Sequence, residues 1–182
     1  MTLLALPPFE IFIAIETTGF NPQTGDRIVE IGAQQLIDGG EPNEIFHAYI
    51  CPERPVPQSA VDVHGLSSEF LSDKPKFADI ADALLEFIGE ATLVVHNARF
   101  ARDFLDAEMG RIGKDRLPPS RFVDAYLLAK ELFPGQPASL NALAKRFNIV
   151  VPTNDSPGNL VSVALIADVY RALRKSESGA RV

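Results

Sequence analysis

Few side chains in this sequence could do chemistry, and most of those are oxygen donors. The 182 residues include three histidines and one cysteine. Cys51 has no partner for an internal disulfide, which fits a reducing cytoplasm. Carboxylates are the stronger candidates, because hard divalent cations take oxygen ligands and need several of them to converge. Glu16 closes an apolar run immediately before Thr17-Thr18-Gly19, and Asp124 stands where a strand-like segment turns helical. Glu16 reads either as a ligand or as an acid at a strand exit. Asp124 reads equally as a metal ligand or as the N-cap of its helix. By themselves the two make at most a weak single-cation site. Gly19 supplies the backbone freedom that a tight strand exit needs. His64, between Val63 and Gly65, reads as site-lining. Asn97 in His96-Asn97-Ala98 reads as a helix cap, and Phe100 falls in the apolar stripe of the helix that follows.

These residues need elements to position them, and the periodicities supply a set. Residues 9–16 form a short apolar run, a buried strand. Asn21-Pro22 and Gly25-Asp26 mark a turn, and 27–38 alternates as a second strand. Gly39-Gly40 leads to a third strand at 43–51, so the first part reads as an antiparallel meander. Residues 52–75 hold four of the fourteen prolines and read as irregular. Phe77, Ile80, Ala81, Leu84, Leu85 and Ile88 then repeat as an amphipathic helix. A fourth strand at 91–95 precedes a helix ended by Gly113. A fifth at 121–125 precedes one stopped by Pro134-Gly135. Ser139 caps a short helix, 153–158 is a loop, and Val161, Leu165, Val169 and Ala172 stripe the last helix. The expected fold is α/β: a mixed five-stranded sheet flanked by helices, in a single domain spanning 1–182 with its core at 9–175 and a frayed tail at 176–182.

Composition narrows the function classes. At 46% hydrophobic and 23% charged, this is an ordinary globular balance. No apolar run reaches membrane-spanning length, and residues 1–8 lack the basic start of a signal peptide, so no membrane partner is expected. Net charge is −7, unevenly spread. Residues 1–98 carry 4 Lys+Arg against 15 Asp+Glu, a balance of −11; residues 99–182 carry 13 against 9, a balance of +4. The chain therefore lacks the broad basic face that usually drives phosphate binding.

Several short motifs fall in a telling order. They are Glu16-Thr17-Thr18-Gly19, Val63-His64-Gly65, Asp73-Lys74-Pro75 and Val95-His96-Asn97-Ala98 with Phe100. Asp124 then opens a helix ending in Phe133-Pro134-Gly135, followed by Ser139-Leu140 and Ala142-Leu143. In this order and spacing the chain resembles the DEDD-type 3′–5′ exonucleases, most nearly the epsilon (proofreading) branch of the bacterial replicative polymerase III. The resemblance implies a ribonuclease H-like fold and Mg or Mn as cofactor. It implies hydrolysis in which two metals activate a water and stabilise the leaving oxygen. It gives Thr17, Thr18, Gly19, His64 and Phe100 as nucleotide-binding residues, Glu16 as catalytic, and Glu16 with Asp124 as metal ligands.

Carried over residue by residue, the family's other catalytic groups fall on Ala14, Ala101, Pro157 and Ser162, so four of five positions are replaced. Asp103 and Asp106 sit about 200° and about 140° around the helix from Ala101. Asp155 is the one nearby acid in a loop. The expectation is a pseudo-exonuclease with no tightly bound metal, retained for single-stranded nucleic acid, 3′ ends or a protein partner. The alternative is an active metal-dependent exonuclease with a site rebuilt around Glu16, Asp124 and Asp155.

Overall fold

The apolar run FEIFIAIET buries alternate residues on opposite faces, and that alternation organises the molecule around its central strand. The computed structural model of the chain describes residues 9–37, 42–151 and 158–179. The expectations for residues 1–8, the Gly39-Gly40 turn, Asp155 and Pro157 lie outside the described residues.

Strand β1 (Phe9–Thr17) pairs antiparallel with β2 (Ile28–Ile37), and β2 with β3 (Pro42–Tyr49), giving the expected meander. β4 (Thr92–Val95) and β5 (Phe122–Asp124) then join parallel on the other side of β1, in the order β3-β2-β1-β4-β5. Glu16 faces Glu30 across β1 and β2, and the register shifts between Glu16 and Thr17. That irregularity re-aims the chain as it leaves the sheet.

Helices cover both faces. Ile11, Ile13, Leu93 and Val95 pack against α3 (Phe77–Ile88) and α4 (Ala98–Arg111) through Phe77, Leu84, Ile88, Phe104 and Met109. Phe12 and Val94 point the other way, towards α5 (Ala125–Leu132), α6 (Leu140–Arg146) and α7 (Gly158–Gly179). Fully burying one such side chain contributes about 1.5–3 kcal/mol, so the two layers hold the sheet from either side. α7 approaches β2 closely where Gly32 has no side chain: a Cβ there would lie 3.1 Å from Asn159 Cβ.

Two expectations change. Residues 52–75 are not irregular throughout, since α1 (Gln58–His64) and α2 (Ser68–Leu71) lie within them. Gly65 ends α1 at φ 77, Ser67 Oγ caps α2 by accepting from Phe70 N, and Ser68 Oγ accepts from Val56 N at 2.8 Å. Val56, Leu66 and Leu71 bury against Val29, which makes both helices worth forming despite their length. The tail expected at 176–182 is helical as far as Gly179, where Ser176 and Ser178 hydroxyls donate to the Ala172 and Arg174 carbonyls. Among the described residues no helix is long and apolar enough to cross a membrane.

Candidate functional site

Where β1 leaves the sheet, the side chains of the following turn hold the backbone rather than point outward. Thr17 Oγ1 donates to the Gly19 carbonyl at 2.6 Å. Thr18 Oγ1 donates to Asp26 Oδ1 at 3.1 Å and accepts from Arg27 N at the same distance. A Cβ on Gly19 would overlap the Asp26 carboxylate, so the turn requires glycine there for space. Pro22–Thr24 then forms a short 3-10 turn capped by Asn21.

α1 brings His64 up to this turn. His64 Nδ1 accepts from Leu66 N at 3.0 Å, which places the neutral ring's proton on Nε2. That Nε2 is buried and faces the Thr17 backbone, although without a well-formed hydrogen bond. Burial pushes the His64 pKa down, against smaller upward pulls from the Thr17 backbone and Glu30, so the ring stays neutral at physiological pH.

α4 brings Phe100. Asn97, at φ 78, caps the helix by accepting from Phe100 N at 3.2 Å, as the sequence predicts. Phe100 is half-buried and packs on Phe104 with ring centroids 4.9 Å apart. It is a rim residue as well as part of the helical stripe.

Glu16, Thr17, Thr18, Gly19, His64 and Phe100 all line one cavity of about 400 Å³. A second cavity of about 460 Å³ lies beside it and shares Phe20 and Phe100, the former 89% exposed. Every residue that the motifs single out for a nucleotide therefore reaches the same space.

The carboxylates divide differently. Burial, then the neighbouring Glu30, push Glu16 up to about 7. Glu30 itself is buried: its Oε1 takes His47 Nε2 at 2.7 Å and Asn159 N at 3.0 Å, while Oε2 has no partner. Asn159 Nδ2 also donates to the Glu30 carbonyl at 3.2 Å. Glu30, His47 and Asn159 carry no signal in the sequence, because their partners are 17 and 129 residues apart.

Asp124 does not reach this cavity. Its Oδ1 accepts from Asn97, Tyr126 and Leu127 N–H groups at 3.2, 2.9 and 3.2 Å, and its Oδ2 from Ala98 N at 2.7 Å. Three donors crowd Oδ1 and one takes Oδ2. Asp124 is an N-cap, as one of its two sequence readings has it, and the acid fastens the starts of both α4 and α5. His96 packs edge-on against Tyr126, at 5.7 Å.

Of the positions where the resemblance puts further catalytic groups, Ala14 packs into the α7 layer and Ala101 is buried in the α4 layer. Ser162 is half-buried on α7. None of the three lines the cavity. Magnesium or manganese wants several converging oxygens. Among the described residues no three or more His, Cys, Asp or Glu side chains gather to hold a metal. With Asp124 engaged by backbone N–H groups and alanines at two of the family's acid positions, the described residues do not fit a two-metal centre.

The exonuclease family profile (RNase_T) matches residues 11–154. DNA polymerase III subunit epsilon of Rickettsia typhi is 42% identical over 167 residues, spanning 90% of this chain and 73% of that one. The Escherichia coli K12 subunit epsilon is 36% identical over 171 residues, spanning 90% and 70%. Among solved structures, exonuclease X in complex with 5′-overhanging duplex DNA superposes with a TM-score of 0.67 at 25% identity, over 90% of this chain and 92% of that one. The nuclease domain of 3′hExo, a DEDDh family member bound to rAMP, gives 0.76 at 16% identity over 94% and 93%, a likeness of fold alone. The fold is the expected ribonuclease H-like one.

Proposed function

This chain belongs to the exonuclease family, and from that premise we propose that it is an epsilon-type domain that binds nucleic-acid 3′ ends without two-metal hydrolysis. One observation carries the reading: the six motif residues converge on a single cavity, whereas the described acids do not converge on a metal.

Each side chain has a role in that binding. The 17–20 turn frames the terminal nucleotide. His64 lines the cavity as a neutral ring, and a turn of that ring would bring its Nε2–H from the Thr17 backbone to an acceptor oxygen of the ligand. Phe100 and the exposed Phe20 give bases a surface to stack on, worth about 1–3 kcal/mol per base. Glu16, pushed up to about 7, is about half uncharged at neutral pH and repels a phosphate less than an ordinary carboxylate would. Mg or Mn, the cofactors that the resemblance implies, would find two acids in the cavity, Glu16 and Asp26, and the Asp26 carboxylate is already held by Thr18, Asn21 and Arg54. The acidic balance of the chain limits non-specific affinity, and a protein partner is the second kind of ligand that such a retained fold would serve.

The test is 3′-end degradation of labelled single-stranded DNA and RNA with Mg²⁺ or Mn²⁺, beside a Glu16→Ala control, with binding of the same strands measured at low salt. Binding without shortening of the strand is expected. Strand shortening that Glu16→Ala abolishes would establish the alternative, an active enzyme with a rebuilt site. Absence of binding at low salt would leave the protein-partner role.

A further inference from the structure

Two separate stretches of chain wall the cavity. One is the 17–20 turn that leaves β1; the other is the 52–64 arm, which ends in α1 and carries His64. Asp26 stands between them. Its Oδ1 accepts from Thr18 Oγ1 at 3.1 Å and from Arg54 Nη1 at 3.0 Å, and its Oδ2 from Asn21 N at 3.1 Å. The first and third bonds hold the turn, whereas the second reaches the arm. The same carboxylate fills the space that a Cβ on Gly19 would need, so the turn closes over Asp26 because residue 19 has none. The root of the arm has its own hold, since Arg27 Nη1 donates to the Pro52 carbonyl at 3.2 Å while its other nitrogens grip the buried Glu108 at 2.8 and 2.9 Å. Beyond that root, Arg54 ties the start of the arm to the turn, and His64 at its far end approaches the Thr17 backbone.

We infer that Asp26 and Arg54 are positioning residues of this cavity: their ion pair pins the His64 arm to the 17–20 turn and sets the gap a ligand enters. Neither needs to touch the ligand. The inference rests on the reading of the cavity as a nucleotide site. The pair is partly solvated, with side chains 33% and 15% exposed for Arg54 and Asp26. Such pairs add little to global stability. What the pin changes is how much ordering is left for the ligand to impose on the arm, and so how tightly the ligand binds.

The experiment compares the full chain with Arg54→Ala and Arg54→Lys. Thymidine 5′-monophosphate and a labelled dT12 strand are the probes, and amide hydrogen exchange of α1 is read without any probe. Arg54→Ala should weaken both probes about tenfold, mainly through faster dissociation. It should speed α1 exchange and move the melting temperature by no more than about 2 °C. Arg54→Lys, which can still reach Asp26, should recover most of the affinity. Asp26→Asn, which keeps the shape and one acceptor, should fall between the two. Wild-type α1 exchange in Arg54→Ala, or wild-type affinity with the probes bound, overturns the inference. If the wild-type chain binds neither probe while Arg54→Ala still speeds α1 exchange, the nucleotide reading fails and the pin stands.

Discussion

Glu16 and Asp124 end two strands of the same sheet, β1 and β5, and both read from the sequence as acids able to hold a metal. Their surroundings make them opposites. The chain beyond Glu16 turns away, no hydrogen bond reaches its carboxylate among the described residues, and burial beside Glu30 pushes it up to about 7. The chain beyond Asp124 starts a helix at once, and the start of α4 lies alongside, so four backbone N–H groups close on it. A carboxylate's role is thus set less by its place in a motif than by which unsatisfied donors lie within reach, and helix starts are the richest source.

The largest effect that would test this contrast is in stability. Asp124→Ala should cost about 2–4 kcal/mol in urea unfolding, more than a single cap because two helix starts lose an acceptor. Nucleotide affinity should change little once the protein is folded. The reverse pattern, with stability kept and affinity lost, would place Asp124 beside Glu16 after all.

A pH dependence of stability comes next. Glu16 titrates at about 7 when folded and near 4.5 when unfolded. In the window between those values the unfolded chain binds fewer protons, so stability falls as pH rises through it and levels off above. The drop should be on the order of 3 kcal/mol, and Glu16→Gln should flatten it. A wild-type profile as flat as the variant's would remove the desolvated acid from one side of the comparison.

The smallest effect concerns binding alone. His64→Ala should weaken a bound mononucleotide about fivefold, the worth of one neutral hydrogen bond, with stability nearly unchanged. Equal affinity in the two proteins would mean that Nε2 finds no partner on the ligand.

Much of the fold was legible because its signals are local. The period of 3.6 in Phe77, Ala81, Leu84 and Ile88 gives α3 with the bounds predicted, and Asn97 and Ser139 cap the helices expected of them. α1 and α2 were not legible. They are seven and four residues long, sit among prolines, and form because Leu66 and Leu71 reach Val29 on a strand some 40 residues earlier in the chain. The site divides in the same way. Its cavity residues lie in contiguous motifs, so reading the motifs found them. Asp26, Glu30 and Asn159 act through partners 28 and 129 residues away, and spacing along the chain cannot show that. Asp124 was found as a cap for its own helix, yet its hold on the start of α4 needs the 26- and 27-residue links to Ala98 and Asn97, which spacing along the chain does not show.

The double anchorage of Asp124 bears on how such a domain changes over generations. An acid whose only service is catalysis becomes free to drift once the reaction no longer matters to the organism. Asp124 has a second service, because losing it would unfasten two helices. Purifying selection would keep it for folding alone, so its presence in a descendant says nothing about whether that lineage still cuts nucleic acid.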